Sequence, residues 1–409
     1  MLDLIIRNAR LLGDVGCRDV GVAGGVIREI DDSISGRGRE ELDAGGNLLS
    51  PGLVDAHVHL DKGMIAPEYD RPVVDLADMI VQMREFKRQA TVENVRERVI
   101  RGVAHAVSRG TTALRTNVEA DPFFEFKAVD GVKLAAAETR DLVDLQTIAF
   151  PQDGWFLTEG TLEAGCEPYV EESLRRGIDI VGGNVNQALW PSDPLAQVDR
   201  IFALARKYDR PIDAHVDNSD NPVAFALPYI AKKTIREGYE GRVTVGHVAS
   251  LARVPDDVAA RTIDLLRQAE IHVGVAPTRI AVTRVKELLD AGVNVFVGTD
   301  EVMGMYTRSG VGDVVMNMWL LSLVTHLCTN ADYEDIFKMG TYNGAKAMGL
   351  ADYGLVKGKA ADLVLFDAPR PVEVICYQAR RRAVIKRGRI VARDGVPVNG
   401  ISPESAPRA

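Results

Sequence analysis

Eight short β-like runs separated by amphipathic helical stretches fill the middle of the chain, and this alternation restricts the fold more than any other feature. The runs are "GLVDAHVHLD", "TALRTNVEAD", "VDLQTIAFPQDG", "IDIVGGNVNQ", "PIDAHVDNSD", "RVTVGHVAS", "IHVGVAPT" and "NVFVGTDEV". Among the intervening stretches are "VENVRERVIRGVAHAVSRG", "LAQVDRIFALARKYD", "PDDVAARTIDLLRQAE" and "RVKELLDAG", several with apolar residues at i, i+3, i+4 and i+7. A parallel sheet must bury both faces, and eight strand–helix units over about 250 residues are what a (β/α)8 barrel, a TIM barrel, requires. The competing architecture is a doubly wound open sheet. No GxGxxG follows the first strand, so nothing points to a dinucleotide.

The two ends of the chain have a different texture. "LDLIIRNARLL", "DVGVAGGVIREI" and "GGNLLSPGLVDAH" alternate apolar and polar positions between Gly and Asp turns, and the pattern returns in "ADLVLFDA" and "AVIKRGRIVARDG". Neither fragment has enough strands for stable sheet packing alone. The expectation is a small β-sandwich domain built from both chain termini, residues 1–50 and 351–409, flanking a barrel over 51–350, with disorder confined to the tail "NGISPESAPRA".

Composition narrows the partners. A net charge of −9 provides no basic field for nucleic acid or anionic lipid. No stretch approaches the roughly 18 apolar residues that span a bilayer, and "MLDLIIRNARLL" lacks the parts of a signal peptide. A cytoplasmic location is expected. Cys17, Cys166, Cys328 and Cys376 are far apart without a CxxC, which fits reduced structural thiols.

Barrel enzymes carry their chemistry at the C-terminal ends of the strands. The first run ends in His57 and His59, the fifth in His215, the sixth in His247 and the eighth in Asp300, so four of the seven histidines and one acid converge on one rim. Residues i and i+2 of a strand point the same way, which aims His57 and His59 together. His105 and His326 fall in helical runs and His272 at a strand's beginning, so these three are read as structural. Three imidazoles and a carboxylate suit Zn or Fe(II) and leave a position for water, whose pKa such an ion lowers toward neutrality.

With "SPGLVDAHVHLDK", "AFPQDG", "IDAHVDN", "GRVTVGHVAS", "GVNVFVGTDEV" and "GKAADLVLFD", the sequence resembles the amidohydrolase superfamily in its cytosine-deaminase-like branch, over nearly its whole length. Several of these phrases and the N-terminal segment are also similar to the N-isopropylammelide isopropylaminohydrolases. The resemblance implies a distorted (β/α)8 barrel, a composite sandwich, one divalent metal (Zn ahead of Fe(II)), a homo-oligomer, and hydrolytic removal of an amino group from a small nitrogen heterocycle. It assigns His57, His59, His215 and Asp300 to the metal, His247 to the attacking water or the developing oxyanion, and Asp300 as the base. The fourth run, "GGNVNQ", lacks the lysine that bridges two metals in binuclear members. Gln152 matches a glutamine that contacts the ring amide of cytosine.

One position departs from the pattern. Where cytosine deaminases carry a proton-shuttling glutamate, this chain has Asn218, which cannot exchange a proton near neutrality. Three explanations stand: Asp217 or Glu301 takes over, Asp300 and His247 suffice for a substrate with a better leaving group, or the protein binds without turnover. Glu301 is read either as an acceptor for a substrate N–H or as an acid at a helix start. Lys62 is expected to neutralise Asp61, the other reading being contact with a substrate carbonyl. Trp155, Trp190 and Tyr306 fall in loops on the active rim, and at least one is expected to stack on a planar ring. Two further functions remain beside deamination: a cyclic amide hydrolase that opens a ring C–N bond, and a non-catalytic protein that retains the metal.

Overall fold

The structure, a computed structural model, describes residues 1–14, 16–67, 69, 71–186, 190–219, 225–277 and 282–398. The tail expected to be disordered lies outside the described residues. Among them the strands form two nine-membered sheets. In one, the strands Leu53–His59, Thr111–Glu119, Asp144–Phe150, Ile180–Val185, Ile212–Val216, Val243–His247, His272–Val275 and Asn294–Val297 pair in chain order, all parallel. A two-residue strand, Asp300–Glu301, returns to the first, setting Asp300 opposite Val58 and Glu301 opposite His59. This is the (β/α)8 barrel, distorted where the eighth run breaks at Gly298 and Thr299.

The break has a local cause. Gly298 lies against the first strand so closely that a Cβ there would stand 2.7 Å from both Cβ and the carbonyl oxygen of His57. Asp300 then takes a left-handed φ of 62°, which turns the chain back toward the first strand. Thr299 secures the turn by donating from its N–H to Asp55 Oδ1 (3.0 Å) and from its hydroxyl to Oδ2 (2.5 Å).

Helices cover the barrel as their apolar spacing predicts. Val92–Ser108 starts at Thr91, whose hydroxyl accepts the Asn94 N–H, and buries Val95, Val99, Val103 and Val107. A cap of this kind contributes about 1 kcal/mol. Pro194–Tyr208 begins at the Asp193 cap with proline in its first turn, where no N–H is missed. No helix among the described residues is long and apolar enough to cross a membrane.

The second sheet is shared by both termini. Leu48–Pro51 pairs in parallel with Leu4–Leu11 and antiparallel with Leu363–Phe366, and Leu4, Ile6, Val20, Val22, Leu363, Leu365 and Ile385 fill one core. The buried Lys386 ties it to the barrel floor, donating to Asp362 (2.6 Å), to Asp144 at the start of the third barrel strand (2.7 Å) and to the Thr112 carbonyl (3.0 Å).

His272 sits at the N-terminal end of the seventh strand, remote from the rim, with Nδ1 3.1 Å from Asn294 Nδ2. Burial, then Arg115 and Lys346, pushes its imidazole down to about 4. The unfolded chain takes up this proton near the ordinary value of about 6.5 and the folded chain does not, so stability falls as pH drops from there toward 4, by about 1.4 kcal/mol per pH unit. Denaturant titrations of His272→Gln are expected to show a shallower acid slope in that window and no difference above it.

Candidate metal centre

Five predicted residues meet at the C-terminal mouth of the barrel. His57 and His59 leave the first strand on one side, His215 the fifth, and His247 ends the sixth. Ring centroids of His57 and His215 are 4.6 Å apart, and His247 lies 4.7 Å from His215 and 5.0 Å from His57. Asp300 Oδ1 lies 3.5 Å from His59 Nε2 and 3.7 Å from His57 Nε2, and the Nε2 atoms of His59 and His215 face each other at 3.3 Å. One ligand atom from each of His57, His215, His247 and Asp300 lies within 4.8 Å of every other. Distance alone therefore admits His247 into the inner set as readily as His59.

The donor set fits a cation. Both ring nitrogens of His57, and Nδ1 of His59 and of His215, are buried without a hydrogen bond. Of these, His57 Nε2 faces Asp300 within the cluster, and such a nitrogen costs free energy unless something takes its lone pair, which a divalent ion among the converging Nε2 atoms does. Burial, then Lys62 for His59 and His57 for His215, holds both imidazoles well below the ordinary range, so they are neutral donors. Burial pushes His57 down as well, but Asp300 first, and then Asp213 and Asp55, together outweigh it and the net shift is upward. Burial likewise opposes ionisation of Asp300, but His57 foremost among its neighbours overcomes it, holding the carboxyl far below the carboxylate range. The site is an anion inside a ring of nitrogen bases.

Backbone geometry holds the ring. His247 and Val248 take left-handed φ values of 70° and 43°, a conformation that costs a β-branched residue on the order of 1–3 kcal/mol. Gly246 and Gly298 make room for His57; a Cβ on Gly246 would stand 2.9 Å from its Cε1. At Gly298 the obstacle is backbone, which cannot swing away. Gly298→Ala is therefore expected to displace the His57 strand, costing roughly 1–3 kcal/mol in stability and lowering bound metal per chain, measured by denaturation and elemental analysis.

The other predicted residues divide. Lys62 is buried and forms an ion pair, but its partner is Glu119 (2.8 Å) rather than Asp61, whose Oδ2 instead accepts the Glu119 N–H (2.8 Å). Lys62 also donates to Gln152 Oε1 (3.0 Å) and lies 3.8 Å from Glu301 Oε1, while Tyr306 places its ring 4.9 Å from the ammonium. Asp217 accepts the N–H groups of Ala226 and Leu227, one on each oxygen (3.0 Å both), at the start of helix Leu227–Glu237. Asn218 is half-buried and its carbonyl accepts from Asn186. Trp155 and Trp190 are 1% and 3% exposed, with unpartnered indole nitrogens. The aromatic ring against the cluster is Phe150, 4.3 Å from His215 and 5.1 Å from His59, which sequence reasoning missed.

Also missed was a charged layer behind the centre. Lys87 is wholly buried and its ammonium donates to Glu119 (2.7 Å), Asp121 (2.7 Å) and Asp153 (2.5 Å). Arg84 pairs with the other Asp153 oxygen at 2.6 Å. These three carboxylates are close enough for a second metal, but the lysine ammonium already occupies their focus. Glu119 and Asp121 stand at the end of the second strand, the kind of position that flagged the histidines, and that was the available signal. Lys87 carries none, being one more basic residue in an amphipathic helix.

A parallel barrel with imidazole and carboxylate groups converging at its C-terminal mouth defines a metal-binding hydrolase. The chain belongs to the amidohydrolase family: that family's profile matches residues 75–392. The match begins beyond His57 and His59, so their place in the centre rests on the geometry above. The chain is 36% identical over 404 residues to N-isopropylammelide isopropyl amidohydrolase of Pseudomonas sp. (strain ADP), covering 97% of this chain and 98% of that protein. It is 29% identical over 403 residues to pterin deaminase of Rhizobium rhizogenes, covering 92% and 88%. Among solved structures, N-isopropylammelide isopropylaminohydrolase from Burkholderia multivorans superposes with a TM-score of 0.88 at 26% identity, covering 97% and 100%. The 5-methylcytosine deaminase from Klebsiella pneumoniae liganded with 5-fluorocytosine gives 0.87 at 26% identity, covering 95% and 97%.

Proposed function

We propose that the protein is a metal-dependent aminohydrolase that removes NH2 or an alkylamine from a nitrogen heterocycle of the pyrimidine, s-triazine or pterin kind. The observation that carries this is the facing of two neutral imidazoles, His59 and His215, at 3.3 Å beside an ionised Asp300. The names of the relatives, a triazine-derivative amidohydrolase and two ring deaminases, support the substrate class.

In this reading His57, His59, His215 and Asp300 would hold one divalent ion, Zn ahead of Fe(II), whose Lewis acidity would make water a nucleophile near neutral pH. Asp300 takes the proton from that water as its oxygen bonds to the ring carbon bearing the amine. His247, which burial first of all holds down at about 4, is a neutral imidazole whose N–H donates to the oxygen as it gains charge. The C–N bond then breaks and the leaving nitrogen takes up a proton. Asn218 cannot deliver it, and the Asp217 oxygens and Glu301 Oε2 already accept backbone N–H groups, which leaves the proton that Asp300 took from the water. Gln152 and Glu301 orient the ring through hydrogen bonds, and Phe150 and Tyr306 supply apolar walls.

The test is product identity across amino- and alkylamino-substituted pyrimidines, triazines and pterins, using metal-loaded protein. Free amine with the ring intact is the expected product. Ring opening without free amine points instead to a cyclic amide hydrolase, and silence across the panel with metal bound points to a binding protein.

A further inference from the structure

Gln152 sits just past the end of the third barrel strand, partly exposed, with its side-chain oxygen 3.0 Å from the Lys62 ammonium. An ammonium has only protons to give. The glutamine must therefore turn its oxygen toward Lys62, and its NH2 limb lies on the far side of the planar amide, where it donates to no described residue. Lys62 is itself held in place by its partners: it is 1% exposed, donates to Glu119 at 2.8 Å, and Glu119 accepts in turn from Lys87 at 2.7 Å. Phe150 bridges this pair to the metal centre, its ring 5.7 Å from the Lys62 nitrogen and 4.3 Å from the His215 ring.

Resting on the proposed function, which makes Gln152 a ring-binding residue, we propose that Lys62 is a positioning residue that locks the Gln152 amide with its NH2 toward the substrate. The enzyme then reads a carbonyl oxygen on the ring edge and rejects an amino group at the same place. An unconstrained glutamine turns over to suit either. The locked one meets an amino substituent donor to donor, and a mispaired polar group at a buried contact is a strong source of discrimination. Glu301 Oε1 lies 3.8 Å from the same ammonium and offers an acceptor beside the locked NH2, so the pair suits a lactam edge, –NH–C(=O)–.

The lock is tested by equilibrium binding to the metal-loaded protein of two rings, pyrimidin-2-one and 2-aminopyrimidine, each checked to be recovered unchanged, which differ in the oxo or amino group offered to Gln152. Wild type is expected to bind the oxo ring at least about tenfold more tightly, the loss of a matched hydrogen bond being worth about that much. Lys62→Met frees the amide, and the preference is expected to shrink to about threefold or less with metal content unchanged. Gln152→Glu leaves Lys62 in place and presents an acceptor, so its preference is expected to invert, an outcome that stands even if Lys62→Met fails to fold. Full preference retained in Lys62→Met, equal weakening toward both rings, no inversion in Gln152→Glu, or no preference or no binding in wild type each overturns the lock. None of these readouts needs turnover, so they separate failure of the lock from failure of the aminohydrolase reading.

Discussion

Asp300→Asn is expected to lower kcat by at least about a thousandfold while circular dichroism and the melting temperature stay near wild type. The carboxylate lies within 3.7 Å of two imidazole nitrogens and is the only acid in the inner set, so amidation weakens the proposed metal ligand and removes the proposed base together. General base catalysis alone contributes roughly 10²–10⁴-fold. The fold should tolerate the change because asparagine, like aspartate, readily adopts the left-handed conformation found there, φ 62°. Wild-type-like kcat in a natively folded variant would remove Asp300 from the mechanism.

Lys87→Met should be the most destabilising single substitution described here, costing about 3–5 kcal/mol at neutral pH. It leaves Glu119, Asp121 and Asp153 buried against one another without the ammonium that each touches at 2.7 Å or less. The loss depends on pH in a stated direction. Burial already raises Asp121 above its ordinary value, and Lys87 is the foremost influence opposing that rise. Without the lysine, the folded pKa climbs further above the unfolded value, so the folded chain binds the extra proton and the deficit shrinks as pH falls toward about 4. Urea titrations at pH 8 and pH 5 compare the two. A loss under about 1 kcal/mol at both would show that the lysine does not balance these acids.

Periodicity made the barrel legible because strand and helix faces differ in spacing, and the eight runs became eight strands. The histidines were legible for a related reason: the ends of parallel strands in a barrel point to one place, so sequence position translates into proximity. Partners across different elements were not legible. Lys62 looked paired with its neighbour Asp61, but both lie in the turn after the first strand and both reach Glu119 at the end of the next, Asp61 to its N–H and Lys62 to its carboxylate. Asp217 was read as one possible replacement for the missing glutamate; its backbone turns to φ 49° after the strand and its carboxylate accepts two helix-start N–H groups. Phe150 gave no signal beyond an apolar strand residue, although it packs on two metal-centre histidines.

One ion, held by His57, His59, His215 and Asp300, is expected to drive amine release. The decisive measurement strips the metal and titrates Zn or Fe(II) back into the apoprotein while following free amine and intact ring from the best substrate of the panel. Activity should rise linearly and level off at one equivalent per chain. A plateau only at two equivalents, or full occupancy of the site without amine release, would contradict the account.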